Sequence, residues 1–437
     1  MRANLNTIFG RYKEIAKLTW ITSISQLIVQ AVGLFCGIMV IRVLPQDEYA
    51  LYTLANTMLG TMVILANGGI STGVMSEGGK VWTDKKKLGQ VLNSGIDLRN
   101  KFGLISLLVC IPILSYLLIK NNADVLTIFL ITICLIPAYF SSLSEVILEI
   151  PPKLKQDIIS LQKNQLFVNF GRLILLGLTI FIFPFAYIAI AAAGIPRVWG
   201  NYKLRKIASK HVDLKEKGNN ETRKNILSTV KRVLPEAIYY CISGQITIWL
   251  LAVFGSTASI AEIGALGRIA MLLNIIAIVL KTLLAPRFAR LQNNYKLLLK
   301  RYIQIQLLTL SIFASVIFFS SFFKSQILWI LGNQYLELET ELILAMIGSS
   351  LVIFSGVIYT FYSYRGWIMH PLLSIIISIT TLIITIWLTD ITTLKGVLFL
   401  NITIGIVQLL TNSLYGFFRI FQLKFDNKNY NKGQSNF

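Results

Sequence analysis

Three cations sit inside stretches that are otherwise apolar: Arg172, Arg268 and Lys281. A charge at the centre of a bilayer costs about 3 kcal/mol or more, so a chain that keeps one there has a use for it. A guanidinium is a planar fork that takes two oxygens of a carboxylate or phosphate at once. Arg172 shares a stripe with Gln165 and Asn169 at helical spacing, and Glu145 and Glu149 form a second stripe below Ser141 and Ser142. Their depths match, so Arg172 is expected to pair with Glu145, as part of a binding cavity or as a structural lock. Arg268 either lines a cavity or snorkels to an interface, whereas Lys281, close to a basic helix end, reads as snorkelling. Gln26, Gln30, Gly33 and Gly37 share one stripe of the first apolar segment. Amides there would hydrogen-bond hydroxyl groups, and Gly33-x-x-x-Gly37 reads first as a close-packing face. Asn274, Asn56, Asn67 and Gln245 are weaker polar interruptions, and Arg42 stands at the far end of the first segment.

Bond-making constellations are missing from this pattern. His211 and His370 have no plausible partner, no Asp-x-Asp occurs, and 73–80 fails the phosphate-loop spacing because position 74 is Val. Cys36, Cys110, Cys134 and Cys241 lie in apolar runs without metal or disulfide spacing. The expectation is a protein that is no enzyme and needs no cofactor or metal.

The elements that must position these residues follow from composition. Of 437 residues, 55% are hydrophobic and 14% charged, and the formal net charge is +21. A soluble chain carries nearer a quarter charged residues. The fold class expected is an all-α polytopic membrane protein. A span needs about 20 apolar residues, and twelve segments qualify: 18–41, 49–76, 102–119, 125–148, 165–183, 185–199, 237–261, 263–285, 302–323, 342–364, 367–389 and 396–418. Pro184 makes the division between the fifth and sixth the weakest. The first follows a basic start but is too long for a signal peptide, so it is expected to be retained. Arg268 then lies five residues, about 7 Å of helix rise, from the start of the eighth segment.

Basic residues fix the orientation. Only Arg42, Lys120, Lys324 and Lys395 fall on one set of connections, three fall within helices, and the remaining 34 of 41 lie on the other set. The positive-inside rule places both termini in the cytoplasm. The charge then serves topology and anionic membrane lipids, with no nucleic-acid partner. The expected organisation is a six-helix bundle at 1–200, a basic cytoplasmic linker at 201–233, a second six-helix bundle at 234–420 and a cytoplasmic tail at 421–437. Equal halves point to a duplicated transporter with its site between them. A faint echo at offsets of 214 to 219 relates Ser25-Gln26 and Glu48 to Ser243-Gly-Gln245 and Glu262.

The stretch Ile41-Arg-Val-Leu-Pro-Gln-Asp-Glu-Tyr-Ala-Leu-Tyr, followed by Ala66-Asn-Gly-Gly-Ile-Ser-Thr-Gly, resembles the opening helix pair of oligosaccharide (Wzx-type) flippases. Ile263-Gly-Ala-Leu-Gly-Arg268 with Ala285-Pro-Arg-Phe-Ala-Arg-Leu291 is similar to the eighth helix of the multidrug/oligosaccharidyl-lipid/polysaccharide exporter superfamily. The resemblance implies a V-shaped pair of bundles around a central cavity in a bacterial inner membrane. It implies a polyprenyl-pyrophosphate-linked oligosaccharide as substrate, an O-antigen, capsule or exopolysaccharide unit, and association with polysaccharide assembly proteins. Related lipid II flippases carry an arginine at the position matching Arg268, lining the cavity. They also carry arginines in helix one, where this chain has none between Leu18 and Ile41. Two rival functions are a cation-coupled multidrug antiporter, which typically keeps a carboxylate in helix one, and a membrane glycan polymerase or ligase, which tends to carry a large external loop.

Overall fold

The computed structural model describes residues 24–289, 291–363, 365, 367 and 369–434. Residues 18–23 of the first expected span therefore lie outside the described residues. Among the described residues the regular elements are helices throughout. The chain forms two compact units, Met1–Val253 and Phe254–Phe437.

The first unit holds α1 (Ile24–Val43), α2 (Gln46–Asn67), α3 (Ile70–Lys80), α4 (Lys85–Lys120), α5 (Val125–Leu148), α6 (Ile150–Leu154), α7 (Ile158–Thr179), α8 (Ala186–His211) and nearly all of α9 (Asn220–Phe254). Local sequence sets the breaks. The segment expected as one span over 49–76 is cut by Gly68 and Gly69, at φ of 44° and 93°, a region glycine enters without a Cβ penalty. Side chains of Leu234 and Val233 crowd that turn, each 2.8 Å from where a Cβ would stand. Asp84 caps α4 by accepting from the N–H groups of Lys86 and Lys87. The break at Pro184 falls between Thr179 and Ala186, because proline supplies no N–H to continue the ladder.

The basic segment expected as a linker is mostly helix. α8 continues to His211 and α9 begins at Asn220. The residues between them are pinned along α4. The Asp213 N–H donates to Lys85 O at 3.1 Å, the Asn219 N–H to Ser94 Oγ at 2.9 Å, and Asn93 Nδ2 to Leu214 O at 3.1 Å. A Cβ at Gly89 would stand 2.1 Å from Asp213 O, so only glycine admits this approach. Further along, Asn121 Nδ2 donates to Ala252 O at 3.3 Å, which ties α9 to the helices before it. By compactness the chain thus parts at Val253, inside the 234–420 stretch that sequence alone assigns to a second bundle.

The second unit holds α10 (Thr257–Ala289), α11 (Tyr295–Phe322), α12 (Lys324–Leu331), α13 (Glu339–Ser363), α14 (Pro371–Leu388) and α15 (Leu394–Gln434). α13 is central and packs on α10, α11, α12 and α15. Phe288, Tyr302, Phe361 and Tyr362 are buried in its core. Tyr362 Oη donates to Asn412 Oδ1 at 2.6 Å, and Asn412 Nδ2 donates to Ser355 Oγ at 2.8 Å.

Among the described residues each of the twelve expected segments overlaps a long helix, and the 49–76 segment is divided between α2 and α3. Among the described residues eight helices are long and apolar enough to cross a membrane, and Ser243–Phe254 and Leu372–Leu388 are shorter apolar ones. α7 falls short because Gln162, Asn164, Gln165, Asn169 and Arg172 dilute it, and α8 because its last half is basic. One boundary moves substantially. The seventh and eighth segments were expected to divide at 261–263, but the break is at Gly255-Ser256. There Ser256 Oγ accepts from the Ser259 N–H at 3.2 Å. Glu262, which falls between the two expected segments, lies in the second turn of α10.

Candidate functional site

In the first unit five helices converge on the end of α5, where Ser141-Ser142-Leu143-Ser144-Glu145 replaces an apolar sequence. α5 packs on α4 and α8, so arginines from both sides meet this serine-rich turn. From α4, Arg99 donates to Ser144 Oγ at 2.9 Å and to Asn100 Oδ1 at 2.7 Å, and it is 7% exposed. From α8, Arg197 donates to Ser142 Oγ at 2.8 Å and its Nε lies 3.5 Å from Glu145 Oε2. Asn201, one turn beyond Arg197, donates to the Ser141 carbonyl at 3.0 Å.

One turn further along α5, Glu149 organises a second set of contacts. It accepts from Lys153 Nζ at 2.6 Å and from Gln165 Nε2 at 3.0 Å. Gln26 of α1 donates to Gln165 Oε1 at 2.8 Å and to Gln162 Oε1 at 3.2 Å. A hydrogen-bonded line thus runs from α1 through α7 to the junction of α5 and α6. Separately, Asp157 caps α7 and lies 3.0 Å from His211 Nε2. Burial pushes the Asp157 carboxyl up, but hydrogen bonds from Ser160 and His211 outweigh it and hold the group below the usual carboxylate value. Among the described residues Arg99 Nε, Asn164 Oδ1 and Arg172 Nε are buried without a hydrogen-bond partner. Leaving such a donor or acceptor unmet costs about 1–3 kcal/mol.

The expected residues are only partly brought together. Glu145 and Gln26 belong to the cluster. The expected partner of Glu145, however, was Arg172, and the structure gives it Arg197 instead. α7 packs on α8, and it is α8 that faces α5, so depth along the bundle matched while the neighbouring helix did not. Gln30 and Arg42 are exposed on α1 and lie outside the cluster, as does Asn274, exposed on α10. Gly37 is buried, whereas a Cβ at Gly33 would meet nothing within 4 Å. Lys281 lies against α13, its Nζ 3.6 Å from where a Gly356 Cβ would be.

Arg268 changes most. Because α10 begins at Thr257, Arg268 is about 17 Å of helix rise from that end, against the 7 Å expected. It sits near the middle of the apolar span Thr257–Lys281, half-buried on its own unit, with Nη1 3.9 Å from Met271 Sδ.

Sequence reasoning missed Arg99, Arg197, Gln162 and Asn201. It started a helix at 102, which left Arg99 in a connection, and it counted Arg197, in the last turn of the 185–199 segment, with the charges of the basic linker. Leu88, Leu92, Gly95 and Leu98, all buried, carry a helical period through 85–101 that would have placed Arg99 inside a helix.

No known family pattern matches the chain, and no curated protein matches it by sequence. Solved structures do match. One is an inward-facing multidrug resistance MATE family transporter of the MOP superfamily, at a TM-score of 0.64 and 16% identity, covering 92% of this chain and 99% of that one. Another is the lipid II flippase MurJ in an inward closed conformation, at a TM-score of 0.69 and 15% identity, covering 91% and 87%. A MOP superfamily transporter from Pyrococcus furiosus, described as having a binding pocket of reversed polarity, matches at 0.56 and 16%, covering 94% and 96%. The chain therefore has the two-bundle, all-helical membrane fold shared by MATE transporters and the lipid II flippase.

Proposed function

We propose that the protein is a flippase that moves a polyprenyl-pyrophosphate-linked oligosaccharide from the inner to the outer leaflet by alternating access. The observation that carries this reading is the depth of Arg268. An arginine at the middle of a span and only half-buried in its bundle is kept at a cost. A doubly charged pyrophosphate crossing the bilayer meets a far larger cost unless fixed cations escort it. A guanidinium at mid-depth supplies two-point contact to that headgroup while the polyprenyl tail stays in lipid. Arg172 and the exposed amides Gln30 and Asn274 are further candidate contacts along the path, and Arg42 is a candidate at its outer mouth. Both termini are cytoplasmic in this reading, on the strength of the basic residues.

Replacing Arg268 with Ala should abolish surface glycan while leaving the protein inserted and abundant. Arg268→Lys should keep partial function, since charge remains but the bidentate fork is lost. Normal surface glycan in the alanine variant at normal expression refutes the reading. A second reading, a cation-coupled multidrug antiporter, is favoured by the carboxylates Glu145 and Glu149 at the end of α5. Efflux of organic cations that is lost in Glu145→Gln and unchanged in Arg268→Ala would select it.

A further inference from the structure

α7 and α8 each present an exposed stripe that grades from apolar through aromatic to basic in the same direction. On α7 it runs Ile174, Phe170, Phe167, Lys163, and on α8 it runs Ile195, Trp199, Tyr202 with the half-buried Lys203, then Lys206 and Lys210, all at helical spacing. The stripes meet where the Phe167 and Trp199 rings lie 4.7 Å apart. Lys203 Nζ sits 3.4 Å from the centroid of Phe167 and 4.4 Å from that of Trp199, and Lys206 Nζ is 4.6 Å from the centroid of Tyr202. Trp199 and Tyr202 remain 53% and 58% exposed. Among the described residues no carboxylate forms a salt bridge with Lys163, Lys203, Lys206 or Lys210, although seven such bridges occur elsewhere.

We infer that this face is a binding site for an anionic phospholipid of the cytoplasmic leaflet. Tryptophan and tyrosine settle at headgroup depth, which fixes the level of Lys203 and Lys206 at the phosphates. The aromatic faces restrain both ammonium groups before any ligand arrives, so less freedom is lost on binding. Each ammonium offers three N–H donors, and a lipid phosphate is the acceptor present at that depth. Beyond the rings, Ile174 and Ile195, 62% and 59% exposed, offer an apolar track for acyl chains. A net negative headgroup fits best, because a zwitterionic one brings its own ammonium beside the lysines. The leaflet assignment rests on the membrane orientation adopted under Proposed function.

The test is native mass spectrometry of the full chain in detergent, titrated with phosphatidylglycerol, with phosphatidylcholine, or with inorganic phosphate. Phosphatidylglycerol should be retained in preference to phosphatidylcholine, and millimolar phosphate should not displace it. Each lysine near an anionic surface contributes about fivefold, so the variant K203Q/K206Q should lose about 25-fold in retention. K203R/K206R should keep it, and K300Q, remote in sequence, should be unchanged. Equal retention of the two lipids, displacement by free phosphate, or full retention by K203Q/K206Q overturns the site. A reporter fused at Lys210 tests orientation separately, and an outside signal overturns the leaflet assignment while the titration still judges binding.

Discussion

Glu145 and Arg197 offer the sharpest test of how the first unit is held together. At 3.5 Å and an effective dielectric constant of about 20, Coulomb's law gives about 5 kcal/mol for the pair. The side chains are 28% and 41% exposed, so solvent screening reduces this to about 1 kcal/mol of coupling. Single changes cost more than the coupling alone, since Glu145→Gln leaves the Arg197 guanidinium without a carboxylate counter-charge, and Arg197→Gln leaves a carboxylate unpaired. Reversible unfolding in mixed micelles, for wild type, E145Q, R197Q and the double variant, measures the coupling through a double-mutant cycle. The swap E145R/R197E should recover part of the loss, and E145R/R172E should recover none. Additivity of the two single changes to within about 0.3 kcal/mol, or rescue by the Arg172 swap, would refute the assignment.

Two further outcomes follow from close contacts. Gly416→Ala places a Cβ 2.0 Å from Tyr302 Oη and 2.5 Å from its Cζ; the ring is fully buried, so overpacking should cost about 1–3 kcal/mol and lower the melting temperature of the purified protein, and an unchanged melting curve would exclude this packing. Asp157→Asn keeps the α7 cap but removes the charge facing His211. Because the folded carboxyl is held below its ordinary value, its contribution is present above about pH 4 and is lost as pH falls through the folded value. The variant should therefore be less stable than wild type at neutral pH, by under about 1 kcal/mol, and the difference should narrow in acid; a gap that does not narrow at all on acidification would count against the pair.

Much of the architecture is legible in the chain itself. Apolar runs of span length, with charges expelled to their ends, can be satisfied only by helices in lipid, and so among the described residues a long helix overlaps each expected segment, although the 49–76 segment is divided and the division at 261–263 moves. Pro184 marks a break whose cause is local, a missing N–H, whereas the break at Gly68-Gly69, inside a segment expected as one span, shows only in the fold. What the sequence does not carry is which helix faces which. Arg172 and Arg197 are both arginines at a depth matching Glu145, and hydropathy is blind to the packing of α8, rather than α7, against the serine-rich end of α5. Helix ends are equally a tertiary matter. Arg99 and Arg197 read as loop charges because basic residues usually end a span, but α4 and α8 run on, held by the docked 212–219 segment and by polar partners across the bundle. The depth of Arg268 also depended on the fold, since a cap at Ser256, worth one hydrogen bond, decides where α10 begins and so moves the arginine from the edge of the span to its middle.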